Sequence, residues 1–195
     1  MLPGVSPGSS WKQQKRGLVI SLSVIFWIFV IIFAFIGILR GWARELLVTL
    51  CGVFALFLLA LIERYIPAIT ASMNGTSLFW FRVAVLLGLA AFGYLAPRLP
   101  RLALNVKLSY ESLQNSILGM IVGAVNAYLI IGSVWYFLEK AGYPFANIVS
   151  APDGANAVGQ KALWLINHLP PTWLDIPAVY IAVVIMFVIV FVVLK

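Results

Sequence analysis

The chain has 195 residues, 63% of them apolar and only 10% charged, and its mean hydropathy is +1.05. Such a composition excludes a water-soluble globular domain and describes an integral membrane protein. The net charge of +7 does not point to nucleic acid, because the Lys and Arg residues stand at the ends of apolar segments instead of on one stripe; there they anchor the chain to lipid headgroups.

Residues 1–17 open with MLPGVSPGSS and continue into Lys12, Lys15 and Arg16, which predicts a flexible polar tail. Leu18 to Leu39 then runs 22 residues without a charge, enough to cross a hydrocarbon layer of roughly 30 Å at about 1.5 Å per residue. This is too long for the apolar region of a signal peptide, so it is read as an uncleaved first transmembrane helix.

Arg40-Gly41-Trp42-Ala43-Arg44-Glu45 follows, a charged hexapeptide wedged between two apolar runs. Each ionised group at mid-bilayer costs about 2.5–3.5 kcal/mol, so the cluster is expected to form a hairpin at the membrane surface. In that reading Arg44 and Glu45 point toward water or partner charges. Gly37 and Gly41 form a GxxxG step that lets the end of the first helix approach a neighbour.

Leu46 to Ile62 gives the second span, closed by Glu63-Arg64-Tyr65, and Pro67 to Ser77 reads as an exposed turn. Asn74-Gly75-Thr76 within it is a chance match to a glycosylation sequon. Phe79 to Ala96 is the third span, where Arg82, one turn inside the helix end, is expected to snorkel to the interface. Leu99, Leu102, Val106, Ser109 and Leu113 then recur at helical spacing among Arg101, Asn105, Glu111 and Asn115, which predicts an interfacial amphipathic helix.

Ile117 to Leu138 is the fourth span. Gly119, Gly123 and Ala127 share one of its faces, a small-residue packing stripe, with Asn126 beside it as an interhelical hydrogen-bonding group. Residues 140–177 form a connection broken by Gly142, Pro144, Pro152 and Asp153-Gly154. Within it Val158, Ala162, Leu165, Ile166 and Leu169 predict the apolar face of a second interfacial helix, stopping at Pro170-Pro171. Residues 178–195 supply the fifth span. Trp11, Trp42, Trp80, Trp135, Trp164 and Trp173 all fall near predicted span ends, as an aromatic belt does. Lys and Arg divide almost evenly between the two sides, so charge bias sets no orientation. The expected fold is therefore all-α and polytopic, with about five transmembrane helices and two interfacial helices.

Two of these places together carry a resemblance. Arg40-Gly41-x-x-Arg44-Glu45 between two apolar helices is similar to the RGxxRE signature of the colicin V production protein (CvpA-like) family of membrane proteins, and Leu118-Gly119-x-x-x-Gly123-Ala124 resembles that family's LGxxxGA helix. The similar region covers residues 18–139, a four-span core. The resemblance implies a small, non-enzymatic, multi-pass protein of the bacterial inner membrane, associated with export or envelope processes.

The residues by themselves favour the same class. An enzyme needs convergent polar groups, and the sequence has no HExxH, no GxSxG with a base, no paired intramembrane carboxylates and one histidine, His168. A small transporter or channel component, the third reading, needs polar groups within its spans, and the inventory is Asn126, Cys51 and Arg82. What remains is a protein that works through lipids and other transmembrane segments, alone or as a homo-oligomer. The alternative is an accessory subunit of a respiratory or photosynthetic complex. No cofactor is required in either case; in a complex subunit, pigment, quinone or structural lipid would be the ligands, with His168 the candidate cofactor-binding residue.

Overall fold

A computed structural model describes residues 22–96, 113–145, 149 and 151–194. The described residues contain helices and connections and no strand. In chain order the helices are α1 (Leu22–Arg40), α2 (Trp42–Tyr65), α3 (Pro67–Ala71), α4 (Gly75–Leu95), α5 (Leu113–Lys140), α6 (Ala157–Ile166), α7 (Pro170–Trp173) and α8 (Ala178–Leu194). Helices α1, α2, α4 and α5 are long and apolar enough to cross a membrane. The 17 residues of α8 are a fifth, shorter apolar helix, about 26 Å long. The protein is thus an all-helical, membrane-embedded bundle. The N-terminal tail and most of the first expected interfacial helix fall outside the described residues, whereas residues 113–116 of that helix belong to α5.

Helix α2 is the hub, packing against α4, α5 and α8. Its Leu56 and Leu59 meet Leu86 of α4, Leu138 of α5 and Val179 and Val183 of α8 in the main apolar core. On the other side of α5, Phe26 of α1 and Trp135 pack with Ala162, Ile166 and Leu169 from the α6 region. Trp135 is consequently 3% exposed and takes no part in an aromatic belt; its indole N–H reaches the Tyr143 hydroxyl at 3.3 Å. That tyrosine is brought back by a glycine-ended helix terminus, in which the Gly142 N–H bonds the Glu139 carbonyl and the Tyr143 N–H bonds the Leu138 carbonyl. Trp80, Trp164 and Trp173 are exposed.

Two more expectations change. The buried residues of α6 are Gly159, Ala162 and Ile166, while Val158 is exposed. The rest of the expected face is kept, since Ala162, Ile166 and Leu169 are buried; Gly159 joins it by passing over the Asp153 carbonyl, where a Cβ would come within 1.8 Å of the oxygen. Arg82 does not snorkel outward. Its guanidinium donates to both carboxylate oxygens of Glu63, at the end of α2, at 2.7 and 3.0 Å. The turn between α2 and α4 contains the short α3, and Asn74 serves there as the cap of α4, its side chain accepting from the Ser77 N–H at 2.8 Å.

The closest helix pair is α1 and α5. A Cβ at Gly37 would lie 2.0 Å from the Gly119 carbonyl oxygen, and one at Gly123 would lie 2.3 Å from that of Phe33. The two GxxxG steps therefore face each other, backbone against backbone. Gly123→Leu is expected to cost about 1–3 kcal/mol or more by overpacking, read as a lower melting temperature in detergent. Gly88→Ala, where an added Cβ meets nothing within 4 Å, should leave it unchanged or raise it. Equal melting temperatures for Gly123→Leu and the unaltered chain would remove this contact from the fold's requirements.

Candidate functional site

The hexapeptide joins α1 to α2 as a helical hairpin with no loop. Only Gly41 leaves the helical conformation, with φ +82° and ψ 154°, a backbone geometry that favours glycine. The chain turns on that one residue and α2 starts at Trp42, so Arg44 and Glu45 lie on its first turn. Arg44 is half-buried there. Glu45 faces neither water nor a partner: it is 0% exposed, turned into the bundle by the direction of its helix face.

Three side chains meet its carboxylate, and a fourth braces one of them. Arg40, the last residue of α1, places Nε 3.0 Å from Oε1. The N–H does not point at that oxygen, so the contact is an ion pair and not a hydrogen bond. Asn126 of α5 donates from Nδ2 to Oε2 at 2.8 Å and to the Glu45 backbone carbonyl at 3.0 Å. Tyr94, near the end of α4, donates its hydroxyl to Oε2 at 3.4 Å, while its ring lies 4.4 Å from the Arg40 guanidinium carbon. Arg40 Nη2 also donates to the Tyr94 carbonyl at 3.4 Å. Thr49, one turn beyond Glu45, donates to Asn126 Oδ1 at 2.7 Å and fixes the orientation of that amide.

This node joins α1, α2, α4 and α5 through one carboxylate. Arg40, Glu45 and Asn126 meet in it, and Gly37, Gly41, Gly119 and Gly123 form the close helix contact beside it. Ala127 is fully buried next to Asn126. Thr49 and Tyr94 join the node from outside the hexapeptide and the α5 stripe. A hydroxyl one turn after the acid signalled the first, whereas Tyr94, distant in sequence within an apolar run, carried no local signal.

His168 lies elsewhere. It is exposed at the end of the α6 segment, with Nδ1 2.7 Å from the Trp164 carbonyl and its ring 4.2 Å from that of Trp164. The Tyr128 hydroxyl donates to its backbone carbonyl. Among the described residues no group of three His, Cys, Asp or Glu side chains is placed to share a metal ion. Two cavities open away from the node. One, of about 350 Å³, lies between the ends of α2 and α5 and the α7–α8 connection; the other, of about 330 Å³, lies between α1 and α6. Neither is lined by Glu45 or His168.

Fold and site together define a polytopic helical membrane protein whose helices are tied by a buried ion pair and amide. Compared with known protein families, curated proteins and solved structures, the chain matches none.

Glu45→Ala strips the acceptor from Arg40 and Asn126 and is expected to destabilise the bundle by about 3–5 kcal/mol, the range for breaking a buried pair. The double variant Arg40→Leu/Glu45→Leu removes both charges and should recover a large part of that loss. Thermal unfolding of the single and double variants in one detergent checks this; strictly additive losses would mean the two charges are not coupled.

Proposed function

We propose that this is a non-enzymatic, CvpA-like protein of the bacterial inner membrane that acts through helix–helix and lipid contacts, alone or as a homo-oligomer. The observation that carries the reading is the division of polar and apolar groups. Arg40, Glu45, Thr49 and Asn126 are engaged with one another inside the bundle, as are Arg82 and Glu63. The outer surfaces of α1 and α8 offer Trp27, Ile31, Phe35, Ile185, Phe187 and Phe191, all more than half exposed and all apolar. Faces of this kind meet acyl chains or other transmembrane helices. The RGxxRE spacing supports the family reading physically: its glycine makes the one-residue turn, and its first arginine and its glutamate form the ion pair.

A second reading, an accessory subunit of a respiratory or photosynthetic assembly, draws on α1. Only 11% of that helix's apolar stretch is buried, and its outward aromatic residues would suit a partner helix, a quinone or a pigment. A small transporter or channel component has less support, because Glu45 is already held by Arg40, Asn126 and Tyr94 and lines neither cavity.

Isolation in mild detergent, with mass spectrometry of the purified species and its absorption spectrum, separates the readings. The proposal expects the chain alone or in multiples of itself, with co-purifying lipid. A second polypeptide in fixed ratio, or a bound pigment, would move the protein to the accessory-subunit reading. Solute flux across vesicles that depends on the reconstituted chain would overturn both.

A further inference from the structure

The cavity of about 350 Å³ has the size of a small-molecule site. Buried Leu59 and Phe137 contribute apolar wall, and Glu63, Arg82, Lys140 and Asp175 contribute charge. Arg82 and Glu63 neutralise each other through their paired hydrogen bonds. Lys140 and Asp175 are different. Both are exposed, and among the described residues neither belongs to an ion pair. Lys140 Nζ rests 5.4 Å from the Tyr136 ring centre, a contact that leaves its N–H donors available. Asp175 accepts from the Ile176 N–H through Oδ1 at 2.7 Å, which directs one oxygen inward to the chain and leaves the carboxylate its charge. One unmatched cation and one unmatched anion thus line the same space, held by the last residue of α5 and by the α7–α8 connection.

We propose that this cavity binds a zwitterion carrying a phosphate and a primary ammonium, the chemistry of a phosphoethanolamine headgroup, with the phosphate on Lys140 and the ammonium on Asp175. A simple anion meets Lys140 but leaves Asp175 unmatched, and a simple cation does the reverse; a ligand with both signs satisfies both ends. A carboxylate accepts hydrogen bonds, so a primary ammonium suits it better than a quaternary one, which has no N–H and favours aromatic faces. The cavity borders the ends of α2 and α5, where a lipid headgroup and a free phosphoethanolamine ester present the same charged atoms. The inference does not rest on the reading of the outer apolar faces.

The test is calorimetric titration of the full chain in detergent with phosphatidylethanolamine, phosphatidylglycerol, phosphatidylcholine and O-phosphoethanolamine. Phosphatidylethanolamine should bind in preference to the other two lipids, and Lys140→Ala and Asp175→Asn should each weaken it by about tenfold or more, the effect of losing one charge-assisted hydrogen bond. O-phosphoethanolamine binding with the same dependence would show that the headgroup suffices, and its failure beside bound phosphatidylethanolamine would assign the site to lipid. Both substitutions are at exposed positions, and unchanged melting temperatures establish that the fold is intact; Lys140→Gln and Asp175→Ser replace either variant that unfolds. Binding of neither zwitterion with an ethanolamine group, equal binding of phosphatidylglycerol, or indifference to Asp175→Asn would overturn the proposal.

Discussion

A carboxylate sealed inside a membrane bundle constrains everything around it. Glu45 is fully buried, so its charge is met by the protein, and each group that meets it comes from a different helix. Arg40 brings the opposite charge from the end of α1, Asn126 brings N–H donors from α5, and Tyr94 brings a hydroxyl from α4. In lipid, apolar side chains gain little by leaving one apolar neighbour for another, so directional contacts of this kind have more to do in fixing which helices pair and in what register. The apolar core around Leu56, Leu86 and Val179 fills the bundle; the node around Glu45 specifies it.

The glycine contact between α1 and α5 follows from that demand. For Asn126 to reach a carboxylate at the start of α2, α5 must lie close to the hairpin that joins α1 to α2. Gly37, Gly119 and Gly123 allow this, since a side chain at any of them would collide with a facing backbone carbonyl. The stripe of small residues is thereby occupied within one chain and is not offered to a second copy. The apolar outer sides of α1 and α8, with exposed side chains of α4 and α5 such as Phe92 and Ile121, stay open to lipid or other helices.

Much of this architecture is legible in the sequence, and the reason is physical. A bilayer imposes a length and a polarity on any helix that crosses it, so uncharged runs of about 20 residues declare themselves. Boundaries were less legible: charges near a helix end do not break the helix, and α2 runs back through Glu45 and Arg44 to Trp42 until the positive φ of Gly41 stops it. The site was visible as a list of residues but not as a constellation. Arg40, Glu45 and Asn126 each stood out as polar groups in apolar surroundings. That Glu45 turns inward, that Tyr94 joins it, and that Arg82 turns to Glu63 depend on which helices become neighbours, a property of packing that no local pattern encodes.

The one-residue turn at Gly41 also bears on how the chain enters a membrane. It sets Arg40 and Glu45 on consecutive helices five positions apart, so the acid finds its counter-charge within a single helical hairpin, before residue 126 has been synthesised. Pairing there offsets most of the cost of bringing either Arg40 or Glu45 into hydrocarbon alone. The asparagine of α5 then reaches a carboxylate that already has its counter-charge, and its amide fixes where that helix docks.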